Sequence, residues 1–201
     1  MNVVKQPAQP WVWYGGRLSV DFVNTRRNRQ ASGVEYLTQP GDLAGWLIAA
    51  GLAAGPVRVD STLLDQAREL REAIDAGIGA RVAGEAFPAA AAAAINSWLA
   101  EGSSRAARLE ISDGVAMLRD PRGREDARRA LELIAIDGAR LLGTQERARL
   151  RICPGPGCGG RFVDVSPAGR RQWCSMAVCG NRAKAARHRD ATRITGGSPE
   201  A

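Results

Sequence analysis

Four cysteines fall within 27 consecutive residues of this 201-residue chain: Cys153, Cys158, Cys174 and Cys179. They form two pairs of the type Cys-x4-Cys with 15 residues between the pairs. Thiolates so grouped suit one tetrahedral zinc ion held by two short turns, and the Pro-Gly-Pro-Gly filling of the first pair makes a tight, rigid turn. Four cysteines close the coordination sphere, so the expected zinc is structural, one per chain, with no position left for a reactive water. An iron–sulfur cluster or a rubredoxin-like iron centre uses the same ligands. Disulfides are disfavoured because the N-terminus, "MNVVKQPAQPWVW", has no basic segment followed by an apolar one and so does not read as an export signal.

The same segment carries cationic chemistry. Residues 151–201 hold nine Lys or Arg and three Asp or Glu, whereas the preceding 150 residues are nearly balanced, against a net charge of +7 for the whole chain. A polyanion is the partner that this asymmetry fits. On a helical wheel of residues 181–193, Arg182, Arg189 and Arg193 lie within about 40° of one another, and Lys184, Arg187 and His188 form a second basic face. With Asn181 at the helix start and Arg170 and Arg171 before the third cysteine, these are the candidate contacts to double-stranded DNA, arranged as a zinc module carries arginines into a major groove. Two plainer roles compete: neutralising the charge of four thiolates, and simple solvation. Trp173, beside Cys174, is expected to shield the metal.

Elements must position these groups. "CGGRFVDVSPAG" contains a strand-like piece, Arg161 to Val165, and residues after Cys174 have helical composition, so a knuckle, a hairpin and a helix would form a treble-clef-like finger. Upstream, "DLAGWLIAAGL" reads as a helix with Asp42 as N-cap. "DSTLLDQARELREAIDAGIGARVAG" reads as a longer helix capped by Asp60 or Ser61. "PAAAAAAINSWLAEG" and "GREDARRALELIAIDGARLLG" give two more. Asp113-Gly114 between alternating segments predicts a hairpin. Near the start, "WVWYGGRLSVDFVNT" reads as a strand, a Gly15-Gly16 turn and an apolar segment, and "NRQASGVEYL" as a loop. Asp21, Asn24, Thr25, Arg26 and Arg27 end that segment with polar groups that either bind a small anionic effector or cap and bond the loop. Trp11, Trp13, Trp46 and Trp98 are expected in the core or at an interface.

No phosphate-binding loop or nucleophile elbow is present, and the one histidine lies on the basic helix, so no enzyme is expected. No apolar run reaches the roughly 18 residues of a membrane span, which with the missing export signal predicts a cytoplasmic protein without membrane contact.

"RFVDVSPAGRRQWCSMAVCGNRAKAARHR" closely resembles the CGNR zinc finger, and "GGRLSVDFVNTR" with the later "DLAGWL" resembles the ABATE domain that precedes that finger. The resemblance covers nearly the whole chain and implies a stress-induced transcription regulator. The expected class is α+β: a mostly helical domain with a β-hairpin over residues 10–148, a CGNR-type finger with a basic C-terminal helix over 149–194, and a disordered tail over 195–201. The expected function is DNA-binding regulation, with the N-terminal domain sensing a small molecule or forming a homodimer. The alternatives are an adaptor whose finger binds an acidic protein of the transcription machinery, and a zinc-thiolate redox switch.

Overall fold

The computed structural model describes residues 11–104, 108–112, 114–119 and 126–195. Residues 1–10, 105–107, 113, 120–125 and 196–201 lie outside the described residues, and with them the expected turn position of Asp113 and the expected disordered tail.

The chain enters through Trp11–Tyr14, which form no strand, and turns at Gly15 and Gly16 into a short helix, α1 (Leu18–Val23). The glycine pair thus serves a helix start rather than a strand turn. The Gly15 amide donates to Asp21 Oδ1 at 2.7 Å, and a Cβ on Gly15 would lie 2.8 Å from that oxygen. Gly16 takes φ +77°, and the Arg17 carbonyl collects the amides of Val20 and Asp21. The stretch expected as a loop, residues 28–37, holds the turn and second strand of a small hairpin of β1 (Arg26–Arg27) and β2 (Val34–Glu35).

Helix α2 (Pro40–Ala49) begins with Gln39 as N-cap. Asp42 caps from inside the first turn, accepting the Thr38 and Gln39 amides, so its expected position is corrected by three residues. Helix α3 (Ser61–Ala83) starts where Asp60 accepts the Leu63 amide at 2.7 Å and stops at Gly84, φ +74°. Then follow α4 (Ala89–Ser104), the expected hairpin of β3 (Arg108–Ser112) and β4 (Val115–Arg119), and α5 (Ala127–Gly143), capped by Asp126. The helices enclose one core in which Val20, Phe22, Trp46, Leu70, Ile74, Leu131 and Ile134 are fully buried or nearly so. Trp98 is also buried, Trp11 packs against the core, and Trp13 stacks on Trp46 with ring centroids 5.6 Å apart.

A 3-10 turn (Gln145–Arg149) leads into β5 (Leu150–Ile152), which pairs antiparallel with β6 (Arg161–Val163), two residues shorter than the strand read from sequence. Alternation along this hairpin decides the architecture. Leu150 and Val163, directly opposite each other, enter the helical core. Phe162 points the other way and packs with Cys153, Cys174 and Cys179 in a second cluster. The body also grips β6 by its backbone: Asn24 donates to the Arg161 carbonyl at 2.8 Å and accepts the Arg161 amide at 3.0 Å, while the Val163 amide donates to the Gly15 carbonyl at 2.7 Å. The finger is therefore seated on the helices through one shared hairpin. A π-helical turn (Met176–Gly180) runs into the last helix, α6 (Asn181–Thr195).

Candidate metal centre and nucleic-acid interface

All four cysteine sulfurs lie within 4.8 Å of one another, and none is in a disulfide. The Sγ atoms of Cys158 and Cys174 are 3.6 Å apart and those of Cys174 and Cys179 are 3.7 Å apart. A zinc–thiolate bond of about 2.3 Å gives a tetrahedron with edges of about 3.8 Å, whereas a disulfide needs about 2.05 Å. The spacing fits the metal.

Local geometry explains how the ligands meet. The Cys158 amide closes a turn onto the Gly155 carbonyl, Gly157 takes φ +71°, and a Cβ on Gly155 would come within 3.2 Å of the Cys179 sulfur. The Cys153 amide returns to the Gly160 carbonyl across the hairpin. On the other side, the Ser175 hydroxyl accepts the Val178 amide and sets the π-helical turn that carries Cys179. The Cys158, Cys174 and Cys179 thiols shift one another's acidity. The neighbouring Cys174 sulfur draws Cys158 down to about 5 against the effect of burial, and the Gly160 amide adds to it. Contact with Cys158, then burial, pushes Cys174 up, and burial above all pushes Cys179 up to about 11. Four thiolates so close together repel one another, and a dication in their midst removes that penalty. Tyr14, Phe162 and Trp173 pack around the sulfurs, so Trp173 does shield the centre.

Arg171 is placed differently from the other expected DNA contacts. Its guanidinium is turned inward, donating to the carbonyls of Tyr14, Trp173 and Cys174, and lies 4.6 Å over the Phe162 ring. It ties the N-terminal lead to the third ligand. Its amide, with that of Ser166 and the Ser166 hydroxyl, bonds the buried Asp164 carboxylate, which shapes the turn before the second cysteine pair. Arg170, by contrast, is exposed, and so are Asn181, Arg182, Lys184, Arg187 and Arg189 on α6. Among the described residues no ion pair engages any of these five cations. The side chain of Arg193 lies outside the described residues. Arg170, Arg171 and Arg187 border one groove with Gln172, Trp173 and Met176, whereas Arg182 opens on the opposite flank of the helix.

The polar residues considered as an effector site serve different partners. Asp21 accepts the Gly15 amide, Asn24 clamps β6, and Thr25 donates to the Phe22 carbonyl while accepting from Arg71. Arg26 is exposed and reaches Glu72 at 3.7 Å. Each of the four thus has a capping, bonding or ion-pair partner within the fold. Sequence reasoning missed the charges that matter more. Arg71 on α3 is 2% exposed and bonds both Glu35 oxygens. Asp75, one turn on, holds Arg161 of β6 at 2.6 Å and Arg29 at 3.1 Å. A signal was present: Arg71 lies four residues after Ala67 and three before Ile74, inside the apolar stripe of α3.

Residues 16–145 match the family model described as "ABATE: Putative stress-induced transcription regulator", and residues 149–191 match the CGNR zinc finger. The chain belongs to the ABATE family and carries a CGNR zinc finger. Its Cys153, Cys158, Cys174 and Cys179 form a single zinc-binding site, which sets aside the iron alternatives. Both family descriptions name a regulator or a zinc module rather than an enzyme. No curated protein matches the chain. No helix among the described residues is long and apolar enough to cross a membrane.

Proposed function

We propose that the protein is a transcription regulator that binds duplex DNA through α6, with zinc as the pin that fixes this helix on the body. One observation carries the reading: Arg182, Lys184, Arg187 and Arg189 are exposed, without acidic partners among the described residues, on a helix whose entry turn supplies a zinc ligand. Metal neutralisation accounts for Arg182 at most. Arg189 lies ten residues beyond Cys179, about 15 Å along a helix, too far to serve the thiolates. A helix with cations on both flanks suits a major groove about 12 Å wide, whose two walls are both phosphate.

The remaining parts of the reading are a homodimer and a small-molecule effector acting in the cytoplasm. One finger reads a short site, and a two-fold dimer doubles it. The hairpin of β3 and β4, with Leu109 and Ile111 exposed on one face, is the surface for a second copy. Sedimentation at micromolar concentration is expected to give a dimer that Ile111→Lys converts to a monomer; a monomeric wild-type chain, with and without DNA, removes this part. The DNA reading is tested by selecting genomic fragments with the purified zinc protein. A sharp enriched motif is expected. No enrichment at any salt concentration moves the finger's partner to an acidic protein surface.

A further inference from the structure

A cavity of about 400 Å³ lies where the N-terminal lead, the first hairpin and the start of α6 meet. Val12, Trp13, Tyr14, Arg27, Val178 and Arg182 line it, and the zinc ligands Cys158, Cys174 and Cys179 form its inner wall. Its size is that of a small-molecule site, and its lining has the expected character, apolar and aromatic walls with a few convergent polar groups. Two of those groups are guanidinium ions, and neither faces a carboxylate among the described residues. Arg27 stacks on Tyr36, 3.9 Å from the ring centroid, which occupies its face and leaves its in-plane N–H donors available. The negative charge of the zinc-thiolate centre has its own cation in Arg171, packed against Phe162 and bonded to the Cys174 carbonyl.

We propose that this cavity binds a small aromatic carboxylate, its charge held between Arg27 and Arg182 and its ring between Trp13, Tyr14 and Val178. The site has one arginine from each part of the chain. Arg182 also opens the cationic stripe that continues to Arg189, so a ligand that takes Arg182 takes a phosphate contact away from DNA. Occupancy and DNA binding are then negatively linked, each weakening the other by the same factor. The linkage rests on the DNA reading above; the binding itself does not.

The test uses the full-length zinc protein and fluorescent 2-naphthoate, with neutral 2-naphthamide as control and bound zinc measured in every sample. Naphthoate is expected to bind saturably at one site per chain and to quench Trp13, while naphthamide binds at least roughly tenfold more weakly, one lost charge-assisted contact being worth that much. Arg27→Ala abolishes binding by removing charge, and Val12→Trp abolishes it by filling space. Arg187→Ala, on the other flank of the helix, leaves it intact. With a duplex selected by the wild-type protein, saturating naphthoate weakens DNA binding by roughly tenfold, within the usual range of coupling between sites, and has no effect on Arg27→Ala. Equal naphthoate binding by wild type, Arg27→Ala and Val12→Trp overturns the proposal, as does equal binding of naphthamide. Naphthoate binding as described in a protein that binds no duplex upholds the cavity and removes the DNA reading; duplex binding without naphthoate binding does the reverse.

Discussion

Asp21 sits half-buried at the first turn of α1, with the Gly15 amide and Arg171 favouring its charge and Asp137 opposing it. Burial outweighs these and raises its pKa from 3.8 to about 6. Between about pH 4 and 6 the folded protein therefore keeps a proton that the unfolded chain has lost, and this group's contribution to stability falls as pH rises through that window. Asp21→Asn retains the acceptor for Gly15 without the ionisation. Its stability relative to wild type is expected to rise from near parity at pH 4 to roughly 1–3 kcal/mol at pH 7, read from urea melts. A difference that does not change with pH contradicts the assignment. At this scale the cysteines were fully legible, because ligand type and spacing are properties of the sequence itself. Asn24 and Arg171 were not. Their partners are backbone groups, and those of Asn24 lie 137 residues away.

Among the elements, the β5–β6 hairpin joins two chemistries, giving Leu150 and Val163 to the helical core and Phe162 to the metal cluster. Its outer lock is the ion pair of Arg161 with Asp75 on α3, both side chains nearly buried. Asp75→Ala leaves Arg161 without its carboxylate and Arg29 with Glu72 alone. A loss of roughly 3–5 kcal/mol in denaturant unfolding is expected, partly restored when Arg161→Met is added. A loss below about 0.5 kcal/mol means the pair is only an ornament of the surface. The helices α2 to α5 and the β3–β4 turn could be read from periodicity, caps and Asp113-Gly114. Helix α1 could not, because six apolar-rich residues after two glycines have the composition of a strand as much as of a helix, and the bonds of Asp21 to Gly15 and of Asp137 to Ser19 select the turn. The π-helical turn was likewise invisible: it carries Cys179 into the sulfur cluster before the helix runs on.

At the scale of the molecule, zinc and the helical core stabilise different halves of one continuous structure. The hairpin's inner face packs in the helical core, whereas the knuckle and the turn that enters α6 pack on the sulfur cluster. Zinc removal by a chelator is therefore expected to abolish hydrogen-exchange protection across Cys153–Cys158 and α6 while the amides of α3 and α5 keep theirs. Loss of protection throughout contradicts this division. The central claim is that zinc presents the cations of α6 to DNA, and Arg189 isolates it, being exposed, unpaired among the described residues and remote from the thiolates. The deciding measurement is anisotropy titration of one duplex with wild type and Arg189→Ala at several salt concentrations, with zinc content determined in both. The account predicts full zinc, weaker binding and a salt slope reduced by about one in the variant. Unchanged affinity and slope at full zinc would contradict it.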